Sequence, residues 1–172
     1  GVARRSASGL AHRLDLDPEA LPRIAWRWQI VRPVPGADHR RAEAEDAPAR
    51  LVLEFDRIDR PRRLESAGLD FARLLTAPYD GEHALLVYVW SAADPVGTVI
   101  PSPRSAHVRM IVATSGAEAV GRWESLSRDY NEDFRSAFGH APPRLTGLAV
   151  ISDSDNTGAS GEALYGDILI GR

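Results

Sequence analysis

The sequence divides into short runs in which apolar and polar residues alternate, and turn residues separate the runs. From Arg23 to Val31 every second side chain is apolar, so Ile24, Trp26, Trp28 and Ile30 share one face of an extended strand. Residues 49–56 repeat this alternation. Residues 83–90 are apolar on both faces, which is typical of a central strand in a sandwich. The remaining apolar runs, 106–114, 123–127, 145–152 and 163–170, bring the prediction to about seven or eight strands.

Two short helices are compatible with the segments between the strands. Residues 131–138 begin at a capping residue, Asn131, and are followed by Gly139 and Pro142. Residues 68–76 carry apolar side chains at helical spacing. Residues 92–104 are rich in proline and glycine and predict a long loop, a feature that is often functional. Repeated strand–helix alternation is missing, so the sequence predicts an all-β, antiparallel jelly-roll sandwich with one or two short helices, forming one domain over residues 1–172.

Composition narrows the possible functions. The chain has no cysteine, which excludes disulfides, thiolate metal sites and a cysteine nucleophile. The formal net charge of -3 provides no field to attract nucleic acid. No apolar run approaches the roughly 20 residues of a membrane-spanning helix. All 21 basic residues are arginine, whose planar group suits carboxylates, although a GC-rich coding bias explains the same composition.

Known catalytic motifs are missing. The sequence contains no glycine-rich nucleotide loop, no HExxH zinc motif and no GxSxG nucleophile elbow. The histidines are scattered and none pairs at the spacing of metal ligands; they are His12, His39, His83, His107 and His140. The motifs therefore predict no catalytic residue.

The loop Asp153-Ser154-Asp155-Asn156-Thr157-Gly158 is the most distinctive polar segment. Asp153, Asp155 and Thr157 occupy positions 1, 3 and 5 of a calcium-loop pattern, and Gly158 occupies position 6. Position 12 is Leu164, where an EF-hand requires a glutamate, and flanking helices are missing. Calcium binding by Asp153, Asp155 and Thr157 thus needs a further carboxylate, for which Glu162 and Asp167 are the candidates.

Other interpretations of this loop compete with calcium. Aspartate, asparagine and glycine are the usual residues of tight turns, and carboxylates cap backbone amides or pair with arginine. We favour a rigid turn at the end of a strand over a metal site. An acid–base pair drawn from Asp153, Asp155, Glu162 and Asp167 is a third interpretation, but glycosidases need carboxyls about 5–9 Å apart across a cleft.

The Trp26-Arg27-Trp28 strand is interpreted first as core packing, because both indoles share one face. The alternative is an aromatic platform for a sugar ring. Arg27 and Gln29 lie on the opposite face, where Arg50 and Glu54 are expected to join them on a polar sheet surface. Such a surface is either a ligand-binding groove or simply solvated.

Several segments together resemble one bacterial family, domain of unknown function 3047. They are Ser6–Leu10, Trp26–Trp28, Glu45–Arg50, Pro101–Arg104, Ser152–Gly158 and Tyr165–Ile168. The resemblance implies an exported, periplasmic or secreted protein with a galactose-binding-like jelly roll, similar to carbohydrate-binding modules and to the complex I intermediate-associated protein. It also implies one or two strands before Ser6, so the chain is expected to lack N-terminal strands of the family.

Three functions follow as hypotheses. The first is a non-catalytic module for a carbohydrate-like ligand, the second an envelope assembly protein that binds another protein, and the third a carboxylate-dependent glycoside hydrolase or lyase. A cleft beside the Asp153 loop lined by Trp90, Tyr88 or Arg104 favours the first. The candidate ligand-binding residues are Arg27, Arg50, Arg104, Trp90, Asp153, Asp155 and Asn156.

Overall fold

The computed structural model describes residues 1–57 and 83–172, and these residues form ten strands, one α-helix and two short 3-10 turns. The short helix predicted over 68–76 lies outside the described residues. The strands are β1 (Val2–Arg4), β2 (Ala7–Leu16), β3 (Arg23–Arg32), β4 (Ala47–Arg57), β5 (His83–Ser91), β6 (Val99–Pro101), β7 (Val108–Ser115), β8 (Trp123–Asp129), β9 (Leu145–Asp153) and β10 (Ser160–Gly171). The helix is α1 (Tyr130–Phe138), and the 3-10 turns are Ala42–Ala44 and Ala117–Ala119.

The strands form two sheets whose pairing is that of a jelly roll. One sheet has the order β1-β10-β3-β8 and the other β2-β9-β4-β5-β7-β6. The antiparallel pairs β1·β10, β2·β9, β3·β8 and β4·β5 are nested, so the chain is wound as one long ribbon folded across both sheets. The predicted β-sandwich is confirmed.

Strands β6 and β7 extend the larger sheet beyond β5. Strand β7 runs parallel to β5, and β6 pairs with β7 antiparallel. The sequence prediction missed β6, which lies inside the predicted loop 92–104, and it also missed β1 and β2. All three are short or exposed, so they lack the apolar alternation on which the prediction depended.

The core between the sheets contains the two tryptophans of β3. Trp26 and Trp28 are buried, their rings meet edge to face with centroids 5.6 Å apart, and Trp26 also packs on Tyr88. The indole nitrogen of Trp28 donates to Thr114 Oγ1 at 3.1 Å. The interpretation of this strand as core is therefore confirmed, and the sugar platform on that face is excluded because both rings are inside the protein.

The opposite face of the six-stranded sheet is also buried. Val52, Val87, Val89, Met110 and Val112 form a second apolar cluster there. This cluster explains why β5 is apolar on both faces, as the sequence predicts for a central strand.

Helix α1 begins one residue earlier than predicted. Its N-cap is Asp129, whose carboxylate accepts from the backbone amide of Glu132, whereas the side chain of Asn131 donates to the Pro18 carbonyl. Gly139 ends the helix with φ 82°, a conformation that favours glycine. No helix within the described ranges has both the length and the apolar character needed to cross a bilayer.

Candidate functional site

The Asp153 loop is anchored by a carboxylate from a distant part of the sequence. Asp46 immediately precedes β4, and the pairing of Ala47 with Asp153 brings it to the end of β9. Its side chain is 0% exposed and accepts from the backbone amides of Asn156 at 3.2 Å and Thr157 at 2.7 Å. The loop is thus a turn closed by carboxylate–amide hydrogen bonds, as the preferred sequence interpretation expects.

Asp153 lies beside Asp46 and faces an arginine. Its Oδ2 is 3.3 Å from Arg50 Nη2, and its Oδ1 accepts from the Asp155 amide at 3.4 Å. Burial raises the pKa of Asp153 to about 7, with Asp155 and Asp46 adding to the rise and Arg50 opposing it. The Asp153 carboxyl is therefore partly protonated and partly ionised near neutral pH.

A second carboxylate, Glu45, binds two arginines. Glu45 Oε2 is 3.3 Å from Arg104 Nε, and Glu45 Oε1 is 3.9 Å from Arg50 Nη1. Ser102 donates to the same carboxylate at 3.4 Å. Burial raises the pKa of Glu45, and the two arginines oppose this shift. Arg50 also donates to the Glu45 carbonyl, and Arg104 to the carbonyl of Ala42.

Asn156 links the aspartates Asp46 and Asp155 to Arg104. With its amide nitrogen facing the carboxylates, it donates to Asp155 Oδ1 and Asp46 Oδ1, each at 3.1 Å, and its oxygen accepts from Arg104 Nη2. We call the connected set the acid–arginine network, and its members are Glu45, Asp46, Arg50, Arg104, Asp153, Asp155 and Asn156.

Tyr165 connects the network to the opposite sheet. Its hydroxyl donates to the Ile151 carbonyl at 2.6 Å, lies 3.2 Å from Ser152 Oγ and accepts from the Arg50 amide at 3.4 Å. Burial raises the pKa of Tyr165 to about 12, so this hydroxyl remains a donor at neutral pH.

The N-terminal segment completes the arrangement. The Ser6 carbonyl accepts from the Ser154 amide at 3.1 Å, and Arg5 Nε donates to the Gly158 carbonyl at 3.2 Å. Five of the six segments that define the family resemblance therefore contribute to one region, and the exception is the core segment Trp26–Trp28.

The carboxylates that lie close enough to share a cation differ from the predicted calcium ligands. One carboxylate oxygen each from Asp46, Asp153 and Asp155 lie within 4.8 Å of one another. Among the described residues, neither Glu162 nor Asp167 belongs to this group, and the Thr157 hydroxyl accepts from the Ala159 amide at 3.3 Å. Calcium takes six to eight oxygens. Here Asp46 and Asp153 already accept hydrogen bonds from backbone amides, and Asp153 also faces Arg50. These contacts are explained by a structural turn, and calcium binding stays a prediction.

A cleft of about 570 Å³ lies directly beside the network and shares Asp46 with it. Its walls come from the segment after β3, from the end of β5 and from the residues that follow β5. Trp90, 5% exposed, lines it, and at its rim Arg40 Nη1 is 2.8 Å from Asp94 Oδ1. Ser91 Oγ donates to Asp94 Oδ2 at 2.9 Å, which fixes the orientation of that carboxylate.

His39 also lines the cleft. Its Nε2 lies 3.0 Å from the Trp90 carbonyl, so this nitrogen carries the proton and donates. Burial lowers the pKa of His39, and the ring is therefore neutral with Nδ1 as an acceptor. Among the described residues neither His39 Nδ1 nor Trp90 Nε1 has a hydrogen-bond partner. Both atoms are buried, so they lie behind the cleft surface and not on it.

The structure unites most of the predicted ligand-binding residues. Arg50, Arg104, Asp153, Asp155 and Asn156 belong to the acid–arginine network, and Trp90 lines the adjoining cleft. Tyr88 is instead buried in the core, where its hydroxyl donates to Asp133.

Arg27 lies elsewhere, on the outer side of the four-stranded sheet, with its guanidinium 5.1 Å from the Trp123 ring centre. The expectation that Arg27, Gln29, Arg50 and Glu54 share one sheet face is wrong, because β3 and β4 belong to different sheets. A jelly roll moves consecutive strands between sheets, and periodicity within each strand does not reveal this.

Sequence reasoning missed the residues that close the site. Asp46, His39, Arg40 and Asp94 lie in segments between the predicted strands, which have no recognisable pattern. The only signal was the presence of Glu45 and Asp46 in one of the segments that resemble the family.

Comparison with known proteins gives a family and no characterised relative. A family model described as "Protein of unknown function (DUF3047)" matches residues 1–169. No curated protein and no solved structure matches the chain.

Proposed function

We propose that this chain, which belongs to the DUF3047 family, is a non-catalytic binding module that holds a carbohydrate-like ligand in the cleft beside the acid–arginine network. The cleft is the observation on which the proposal rests. Its volume of about 570 Å³ lies within the range of small-molecule sites, roughly 300–1,000 Å³. It has mostly apolar walls and few polar groups, as such sites usually do.

The polar groups suit hydroxyl-rich molecules. Arg40 supplies several donors and Asp94 two acceptor oxygens, and the pair lies at the rim where a ligand enters. Vicinal hydroxyls of a sugar both donate and accept, so they match a neighbouring arginine and carboxylate. Pro33 and Pro35 offer apolar surface for the C–H face of a sugar ring, with the buried Trp90 behind them.

The position of the network favours binding over catalysis. Glycosidases hold their two carboxyls roughly 5–9.5 Å apart with the sugar between them. The oxygens of Asp46, Asp153 and Asp155 lie within 4.8 Å, and the first two residues are buried. The network holds together the segments around Asp46, Arg104 and Asp153, and Asp46 is its member at the cleft wall. It leaves no room for a sugar ring between the three aspartates.

The test is a glycan array of neutral and acidic mono- and oligosaccharides, followed by calorimetry with the saccharides that bind. We expect binding to at least one saccharide, and a loss of about tenfold or more in Arg40→Ala and Asp94→Asn. Arg41→Ala is the matched control, because Arg41 is the adjacent exposed arginine, pairs with Glu43 and does not line the cleft.

Binding by wild type and Arg41→Ala with loss in the other two variants supports the proposal. Failure to bind any saccharide, both with calcium and with EDTA, contradicts it. Export, which the family resemblance implies, is part of the same proposal, and recovery of the native protein only from the cytoplasmic fraction contradicts that part.

A further inference from the structure

The outer face of the four-stranded sheet collects most of the exposed apolar surface of the described residues. Seven large apolar side chains are exposed in this part of the chain, and five of them point outward from this sheet. They are Val2, Val31, Trp123, Leu164 and Leu169. Apolar residues scattered singly need no explanation, but their collection on one sheet face is typical of an interface.

The same face carries charges that have no ion-pair partner among the described residues. Arg23 and Arg27 project outward from β3, and Asp167 projects outward from β10 beside Arg27. None of the ion pairs among the described residues involves these three side chains. The Arg27 guanidinium lies 5.1 Å from the Trp123 ring centre and over the backbone of Gly166, next to Asp167.

We propose that this face binds the same face of a second copy of the chain, with the two sheets packed about a two-fold axis parallel to their strands. Strands β10 and β3 are neighbours in the sheet, and Gly166 and Asp167 lie in the register shift opposite Arg27. An axis between these two strands places β10 of each copy over β3 of the other. Asp167 then faces the second copy's arginine, and the symmetry forms this contact twice.

Charge distinguishes this arrangement from the alternatives. An axis lying across the strands would place β3 of one copy over β3 of the other, so the strands that carry Arg23 and Arg27 would face each other, which is repulsive. Aligned packing of twisted sheets is also the usual arrangement for two sheets in contact. A face with separate acidic and basic strands is self-complementary, whereas an unrelated partner would have to supply both charges in the same pattern.

The area of the face determines how strongly the two copies are expected to bind. The four strands have 3, 12, 10 and 7 residues, and at about 3.3 Å per residue and about 4.8 Å between strands they cover roughly 500 Å² on each copy. The total of roughly 1,000 Å² is in the range of weak specific interfaces, so we expect a weak dimer that depends on concentration.

The test is sedimentation velocity of the wild-type chain over a range of about 1 to 500 µM, a range chosen to span weak association. We expect the weight-average mass to rise toward that of a dimer. Leu169→Lys, at a side chain 67% exposed on this face, should remain monomeric throughout. The matched control is Leu10→Lys, at a side chain 77% exposed on β2 in the other sheet, which should associate as wild type does.

A charge swap tests the orientation of the two copies. Arg27→Asp should weaken association, and the double variant Arg27→Asp with Asp167→Arg should restore it, with circular dichroism confirming that both are folded. A wild-type chain that is monomeric at every concentration overturns the proposal. The proposal is also overturned if Leu10→Lys and Leu169→Lys lose association equally. It is overturned as well if the charge swap fails to restore the dimer. Loss of array binding in Leu169→Lys without any dimer in wild type would assign the face to the saccharide instead.

Discussion

Asp46 shows how one buried side chain can hold a site together. Burying a carboxylate costs free energy unless hydrogen bonds replace its water, and here two backbone amides do so. Asp46 lines the cleft on one side and anchors the 153–158 loop on the other. A movement of that loop therefore changes the wall of the cleft through this carboxylate.

The neighbouring Asp153 predicts a pH dependence of stability. Burial raises its pKa in the folded chain to about 7, whereas an unfolded aspartate ionises near its ordinary value of 3.8. Between these values unfolding releases a proton, so the free energy of unfolding falls as pH rises, by up to about 1.4 kcal/mol per pH unit, and levels off above pH 7. Asp153→Asn is neutral at every pH and removes this contribution.

The measurement is the difference in the free energy of unfolding between wild type and Asp153→Asn, from urea denaturation at pH 4 to 8. As pH rises toward neutral, wild type should lose stability steadily relative to Asp153→Asn. A difference that stays constant, or that moves in favour of wild type as pH rises, contradicts the raised pKa. The comparison cancels the titration of the carboxylates that do not interact with Asp153.

Helix α1 shows at the scale of one element how a polar contact fixes packing. Asp133 accepts from the Tyr88 hydroxyl and from Arg128 Nε, each at 2.8 Å, so the helix is tied to β5 and β8 together. Burial, with Asp133 adding to it, raises the pKa of Tyr88 well above its usual value, so the hydroxyl stays protonated and donates. Phe134, one residue on, packs against Phe55 in the core.

Removal of this carboxylate should loosen the helix. Asp133→Ala leaves the buried Tyr88 hydroxyl and the Arg128 guanidinium without their acceptor, and we expect a loss of about 2–4 kcal/mol in the free energy of unfolding. Glu132→Ala, at an exposed position in the same turn, should cost about 0.5 kcal/mol or less. A double-mutant cycle with Tyr88→Phe should give a coupling of about 1 kcal/mol. Equal losses for Asp133→Ala and Glu132→Ala would contradict this role.

The same elements show what the sequence could predict. Alternation identified β3 and β4, and apolarity on both faces identified β5, because burial on one face or on two determines those patterns. The cap of α1 was misplaced because Asp129 and Asn131 are both good caps, and only the contact of Asn131 with Pro18 separates them. Strand β2 was missed because an edge strand with exposed residues such as Leu10 has no buried face to impose a pattern.

At the scale of the whole molecule, the limits of prediction lie in the pairing of distant strands. The strand pattern predicted a jelly roll, and the nested ribbon agrees with it. The acid–arginine network depends on which residues become neighbours across that ribbon, such as Ala47 and Asp153. Turn chemistry at the Asp153 loop was predictable from its residues. The acceptor Asp46 was not, because its place is fixed by the pairing of β4 with β9 and not by its local sequence.

The nested ribbon also predicts that deleting the C-terminal strand destabilises the chain more than deleting the N-terminal one. Strand β10 lies between β1 and β3 inside its sheet and supplies Tyr165, whereas β1 is a three-residue strand at the edge of the same sheet. Deletion of residues 160–172 should abolish cooperative unfolding, because it opens the core above Trp28 and leaves β1 without a partner. Deletion of residues 1–5 should cost only about 1–3 kcal/mol, the range of ordinary local losses.

Urea denaturation followed by tryptophan fluorescence and by far-ultraviolet circular dichroism distinguishes these outcomes. The chain without residues 1–5 should keep one sigmoidal transition that both probes report together. The chain without residues 160–172 should show no such transition and no near-ultraviolet signal from its buried tryptophans. A cooperative transition in the second deletion would mean that the six-stranded sheet folds on its own and that the ribbon is not one cooperative unit.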